Sequence, residues 1–188
     1  MSTSQQHPFS LPGAAPLSGT VWAARGSRPA VLLPSNSPRD SGVAAALARA
    51  GFAVVSWERP GPGTEDIGRI RDALGAGALP VRTSSYALMA GQVGARDAIH
   101  WATTDRRLGA LITWGMTVTQ DERAAVIEEA HRVTCPWLLL VDERDKSAEG
   151  DARALVASGP ERILAHVPVE GVSPTWVHIA VAWLARHV

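Results

Sequence analysis

The stretch Gly109-Ala110-Leu111-Ile112-Thr113-Trp114-Gly115-Met116-Thr117-Val118 carries the plainest structural signal in the chain. Leu108 to Trp114 is a short, nearly continuous apolar run, the composition of a strand covered on both faces, and Gly115 breaks it. Working outward, similar runs recur. Ala30 to Leu33 is closed by Pro34-Ser35-Asn36-Ser37-Pro38, and Phe52 to Trp57 is closed by Pro60-Gly61-Pro62-Gly63, where the backbone must turn. Trp137 to Asp142 and Ile163 to Val169 continue the series, and Thr20 to Ala24 suits a first strand.

Helical patterns fall between these runs. Val43, Ala46, Leu47 and Ala50 recur at helical spacing before Gly51, and a weaker helix spans Glu65 to Leu74. Ser84 to Thr103 reads as one long helix with Leu88, Ala95, Ile99 and Ala102 on a side, although Gly91 and Gly94 weaken its first half. Thr119 and Glu122 form a capping box ahead of Val126, Ile127 and Ala130. Asp151 to Ser158 is a helix stopped by Gly159-Pro160, and Thr175 to Arg186 is the last. Strand and helix alternate, so the fold class is α/β: a single domain over residues 17–188 with a mostly parallel sheet and helices on both faces. Residues 1–16, rich in Ser, Gln and Pro, read as a loose arm.

Composition narrows the function classes. At 188 residues and 46% hydrophobic content, one sizeable core is expected. Formal net charge is zero, which removes the electrostatic case for a nucleic acid or an anionic membrane as partner. No apolar run reaches the roughly 18 residues of a membrane span, and the first sixteen residues lack a signal-peptide pattern, so cytoplasmic residence is the expectation. One cysteine, Cys135, excludes an internal disulfide and a multi-cysteine zinc site, and no cofactor or metal is expected. Oligomeric state is not legible.

In a parallel sheet the working groups sit on loops at the carboxyl ends of the strands, here the loops beginning at Pro34, Trp57, Trp114, Asp142 and Val169. Three motifs on or beside those loops stand out: Arg59-Pro60-Gly61-Pro62-Gly63-Thr64, Val93-Gly94-Ala95-Arg96-Asp97-Ala98-Ile99, and Thr134-Cys135-Pro136-Trp137-Leu138-Leu139-Leu140-Val141-Asp142-Glu143-Arg144-Asp145. In these, over roughly residues 29–186, the chain resembles the α/β-hydrolase superfamily and most closely its dienelactone hydrolase branch. The resemblance implies a triad acid at Asp145. It places the nucleophile elbow, normally Gly-x-Ser-x-Gly or Gly-x-Cys-x-Gly, on Thr113-x-Gly115-x-Thr117, and a glycine there has no group to attack a carbonyl. It places the triad histidine on Val172 in Gly171-Val172-Ser173, and Arg59 where an arginine helps hold a substrate carboxylate. Pro34-Ser35-Asn36 stands where the superfamily often has His-Gly. Between Val118 and Trp137 only residues 119–136 remain, so a reduced fold is expected, with about one strand and the lid missing.

Each candidate has a second reading. Asp145 is a candidate general base, or it caps the loop or the next helix. Arg59 is a candidate carboxylate binder, or an ion-pair partner of Glu58 or Asp66. Ser35, Ser37 and Ser173 lack an adjacent base and suit turn hydrogen bonding. His178 reads as solvent-facing, His166 lies within a strand, His100 and His131 lie away from the carboxyl edge, and Cys135 reads as structural. Trp57, Trp114 and Trp176 lie where rings would line a pocket or pack the core, whereas Trp101, Trp137 and Trp183 read as core. The leading expectation is a hydrolase-fold protein that binds an apolar or carboxylated small molecule or peptide. It either holds that ligand or promotes a non-hydrolytic step such as isomerisation, epimerisation or cyclisation. The alternatives are a divergent hydrolase with groups relocated to Ser35 or His178, and an interaction module without chemistry.

Overall fold

The computed structural model describes residues 5–13, 15–23, 28–35, 38–58, 63–81, 83, 85–116, 118–168 and 173–188. Their elements are β1 (Gln5–Leu11), β2 (Leu17–Ala23), β3 (Arg28–Ser35), α1 (Pro38–Arg49), β4 (Phe52–Glu58), α2 (Glu65–Gly75), β5 (Tyr86–Gly91), α3 (Val93–Ala102), β6 (Leu108–Trp114), α4 (Gln120–His131), β7 (Trp137–Asp142), α5 (Lys146–Ala157), β8 (Arg162–Val167) and α6 (Pro174–His187). The sheet order is β1-β2-β4-β3-β5-β6-β7-β8. β1 and β2 join antiparallel, and β4 to β8 run parallel with β3. The fold is a single-domain α/β structure, as the alternation of elements implies.

The sheet is apolar on both faces, and each face is closed by its own helices. One core cluster joins Trp57, Leu88, Leu111 and Leu139 to α2, α3, α4 and α5 through Ile67, Ile99, Val126 and Leu155. The other joins Val31, Val54, Met89 and Ile112 to α1 and α6 through Leu47 and Leu184. Covering both faces in this way suits parallel strands, which read as continuous apolar runs because neither face meets water.

Four expectations are corrected. The segment read as one long helix is a strand, a one-residue turn and a helix: β5, Gln92 and α3. Tyr86, Leu88 and Ala90 pack into one cluster, Ala87 and Met89 into the other, so β5 is covered on both sides. Its first residue is anchored by the Tyr86 hydroxyl, which donates to Asp105 Oδ2 at 2.9 Å and accepts from Trp101 Nε1–H at 2.6 Å. With β5 present the sheet has eight strands among the described residues, and the strand expected to be missing is not missing. The segment between β6 and β7 does hold only α4 among described residues. The expected loose arm, 1–16, instead contributes β1, paired with β2 from Gln5↔Ala23 to Leu11↔Leu17. Finally, α5 starts at Lys146, five residues before the helix expected at Asp151.

Candidate functional site at the carboxyl edge of the sheet

The chain leaves β3 toward β4 on one side and returns to β5 on the other, so the sheet order reverses at β3. A crevice opens at such a reversal, outside the carboxyl ends of the strands. Ser35 ends β3 there, and Gln92 follows β5. Gln92 alone separates the strand from α3, with φ 50° and ψ −124°, a conformation that a residue with a side chain adopts only under strain. Two hydrogen bonds brace it: Gln92 N–H donates to Trp114 O at 2.9 Å, and Ala95 N–H donates to Gln92 O at 3.1 Å. The Gln92 side chain is exposed at the edge. Gly91 is required just before it, because a Cβ there would lie 2.2 Å from the Trp114 indole. This strained strand-to-helix turn has the form of a nucleophile elbow.

The strained strand-to-helix turn thus lies at Gln92, one strand before Gly115, where such a turn was expected. Gly115 does have φ +57°, but no helix begins until Gln120. Because β5 stands before β6 in the sheet, the short segment between β6 and β7 requires no deleted strand. The two positions are neighbours nonetheless, since a Cβ on Gly115 would lie 3.7 Å from Gln92 Cγ.

The loop expected to carry Arg59 is described from Gly63 onward. Gly63 has φ +122°, which favours glycine, and its N–H donates to Asp97 Oδ2 of α3 at 3.0 Å. Two of the sequence motifs thus meet behind the elbow.

Beside the elbow lies a cavity of about 190 Å³, lined by Thr113, Trp114, Gly115 and Met116 from the end of β6, Leu139 to Asp142 from β7, and Asp145, Ala148 and Ala152 from the start of α5. Asp145 is the N-cap of α5: its Oδ1 accepts from Ala148 N–H at 2.9 Å. The capping reading of Asp145 therefore describes one of its oxygens, and no described residue hydrogen-bonds the other. Asp142 Oδ1 accepts from Arg144 N–H at 3.0 Å, which shapes the loop between β7 and α5.

Of the aromatic candidates, Trp114 lines the cavity and meets Trp176 edge-to-face, with ring centroids 5.5 Å apart at 89°. Trp176 is buried beneath it in the α1/α6 core. Trp57 is corrected to a core residue: it is 1% exposed in the opposite cluster, and its indole N–H donates to Asp66 Oδ2 at 2.7 Å. Ser173 caps α6 through Trp176 N–H at 3.1 Å. His178 is exposed, as expected. His166 lies in β8 with Nε2 3.4 Å from Glu149 Oε1, and His100 contacts Glu129 between α3 and α4. Arg59, Ser37 and Val172 lie outside the described residues.

Cys135 is buried, and burial pushes its thiol up to about 12. At neutral pH it holds almost no thiolate, the reactive form. The native protein is expected to leave a disulfide reagent such as DTNB unreacted at pH 8 over minutes, and to release one thiol equivalent on unfolding. Fast reaction of the folded chain would contradict the assignment of Cys135 as a packed, inert side chain.

No family model matches the chain, and no curated protein matches it by sequence. Solved structures do match in fold. An esterase domain of a Rhodothermus marinus protein superposes with a TM-score of 0.76 at 14% identity, over 97% of this chain and 99% of its own. A Pyrococcus furiosus esterase gives 0.75 at 12% identity, covering 98% and 93%. A cold-adapted esterase from an Arctic intertidal metagenomic library gives 0.73 at 19%, covering 98% and 94%. Among proteins, then, this chain has the α/β-hydrolase-like fold of these esterases.

Proposed function

We propose that this protein is an α/β-hydrolase-fold binding protein that holds a small, largely apolar molecule at the carboxyl edge of its sheet and does not hydrolyse esters. The observation that carries this reading is Gln92: the one strained strand-to-helix turn among the described residues presents a carboxamide. A carboxamide is no nucleophile, and loss of a triad nucleophile or its base typically removes several powers of ten in rate. The three sequence motifs and Asp145 support placing the chain beside the dienelactone hydrolase branch, with a degenerate triad in which Gln92 rather than Gly115 stands at the nucleophile position and Val172 at that of the histidine. Asp145, with one oxygen not engaged by described residues, is the candidate general base for a non-hydrolytic step such as isomerisation.

Incubation with p-nitrophenyl acetate and with a fluorophosphonate probe tests the reading. The expected result is turnover no faster than buffer and no labelled serine. Rapid turnover, or stoichiometric labelling of Ser35 or another serine, would replace it with a hydrolase whose nucleophile has moved.

A further inference from the structure

We propose that the cavity between β6, β7 and α5 is a subsite for one uncharged ring bearing a hydrogen-bond acceptor oxygen, and that the Thr113 hydroxyl is the donor that recognises it. The inference rests on the reading that the protein binds a small molecule, and it names the chemistry of that molecule.

Size sets the first limit. At about 190 Å³ the cavity holds one ring with a short substituent; apolar protein cavities of roughly 150 Å³ take up benzene. The walls set the second. Trp114, Met116, Leu139, Val141, Ala148 and Ala152 are apolar, so the body of the ligand must be apolar as well.

The polar groups decide the rest. Thr113 is 2% exposed and lines the cavity. Its Oγ accepts from the indole N–H of Trp137 at 2.9 Å, and Trp137 is fully buried and cannot swing away. That bond turns the Thr113 proton away from Trp137 and strengthens the hydroxyl as a donor. No described residue accepts that proton. A buried donor without an acceptor is costly, so an acceptor atom in the cavity relieves it. The ionisable groups in the lining are both carboxylates, Asp142 and Asp145, which oppose an anionic ligand. They sit toward solvent while the donor sits at the buried end. A cationic head would meet the Thr113 hydroxyl proton without an acceptor to offer. A neutral carbonyl, lactone or ether oxygen on a ring accepts the Thr113 proton and brings no negative charge up against the two carboxylates.

Titration of the full chain by calorimetry and tryptophan fluorescence with acetophenone, ethylbenzene, benzoate and benzylamine tests the proposal. Acetophenone should bind saturably at one site per chain and roughly tenfold more tightly than ethylbenzene, the range of one net hydrogen bond. Benzoate and benzylamine should bind more weakly than acetophenone. Thr113→Val should erase the preference for acetophenone over ethylbenzene. Because that change also removes the acceptor of Trp137, a second variant, Ala152→Leu, fills the cavity with the Thr113–Trp137 pair intact and should abolish binding of both ligands while thermal unfolding stays cooperative. Benzoate or benzylamine binding as tightly as acetophenone, no binding of any ligand, or an unchanged preference in Thr113→Val would overturn the assignment. Ester turnover together with an intact acetophenone preference would overturn the proposed function alone. No turnover together with no preference would overturn this inference alone.

Discussion

Replacing Arg162 by alanine is expected to destabilise the protein by about 3 kcal/mol or more, because one buried guanidinium closes the carboxyl ends of two helices. Arg162 opens β8 at 7% exposure. It donates to Leu155 O at 3.0 Å at the end of α5, and to Ala130 O at 2.6 Å and Val133 O at 3.2 Å at and just beyond the end of α4, and it also contacts Ser158 Oγ. The terminal carbonyls of a helix have no partner within it, and they present the negative end of its dipole, so a cation placed among them is favoured. Burial still holds the guanidinium below its ordinary pKa, although it stays protonated throughout the physiological range. It lies 5.4 Å from the Trp137 ring centre, on the strand that floors the cavity. Gly159 leaves the space: a Cβ there would come within 2.5 Å of Arg162 Nη2. In thermal unfolding, Arg162→Ala should lower Tm by roughly 6–12 °C for a chain of this size. Arg162→Lys should recover only part of that, since an ammonium cannot reach both helix ends as a planar fork does. A Tm within about 2 °C of wild type for Arg162→Ala would show that water satisfies those carbonyls equally well.

The second large effect is expected at the elbow. Gly91→Ala adds a Cβ 2.2 Å from Trp114 Cε2 and Nε1, and Trp114 is itself pinned against Trp176. The backbone of Gly91 is fixed in the sheet, and the indole could shift only by giving up its contact with Trp176, so the overpacking cost should be about 2–3 kcal/mol. The cost is steric, because Gly91 has an ordinary strand backbone. Gly91→Ala made on a Trp114→Leu background should therefore cost much less, with a coupling of about 1.5 kcal/mol or more across the double-mutant cycle. Denaturant unfolding of the four proteins measures it. Additive losses would mean that the indole does not lie across Gly91 in solution.

These two positions also show which parts of the fold could be read in advance. β4, β6 and β7 were legible because each is a continuous apolar run with β-branched or aromatic members, closed by a turn. β5 was not. Tyr-Ala-Leu-Met-Ala-Gly is equally apolar but is built from helix formers, and a short run without period does not distinguish a buried helix from a buried strand. Gly91 and Gly94 on either side of Gln92 do more than weaken the first half of a helix: the pair also suits a tight elbow.

The sequence by itself determined the alternation of elements, the apolar character of the strands, the capping role open to Asp145 and the inert setting of Cys135, all of which follow from local composition and spacing. Only the tertiary structure decided where the elbow lies, because Gln92 is driven to positive φ by the strand and helix on either side of it, not by its own preference. Likewise Trp57 and Trp114 both lie at the carboxyl ends of strands, within one residue of the last, yet they point to opposite faces of the sheet, one into the core against Asp66 and one over Gly91 at the cavity. The Thr113 proton, with no acceptor among the described residues, is of the same kind. It is left so because Trp137, 24 residues away, stands opposite Leu111 on the neighbouring strand and reaches Thr113 two residues further along β6, and the register between strands is set by the packing of the whole sheet.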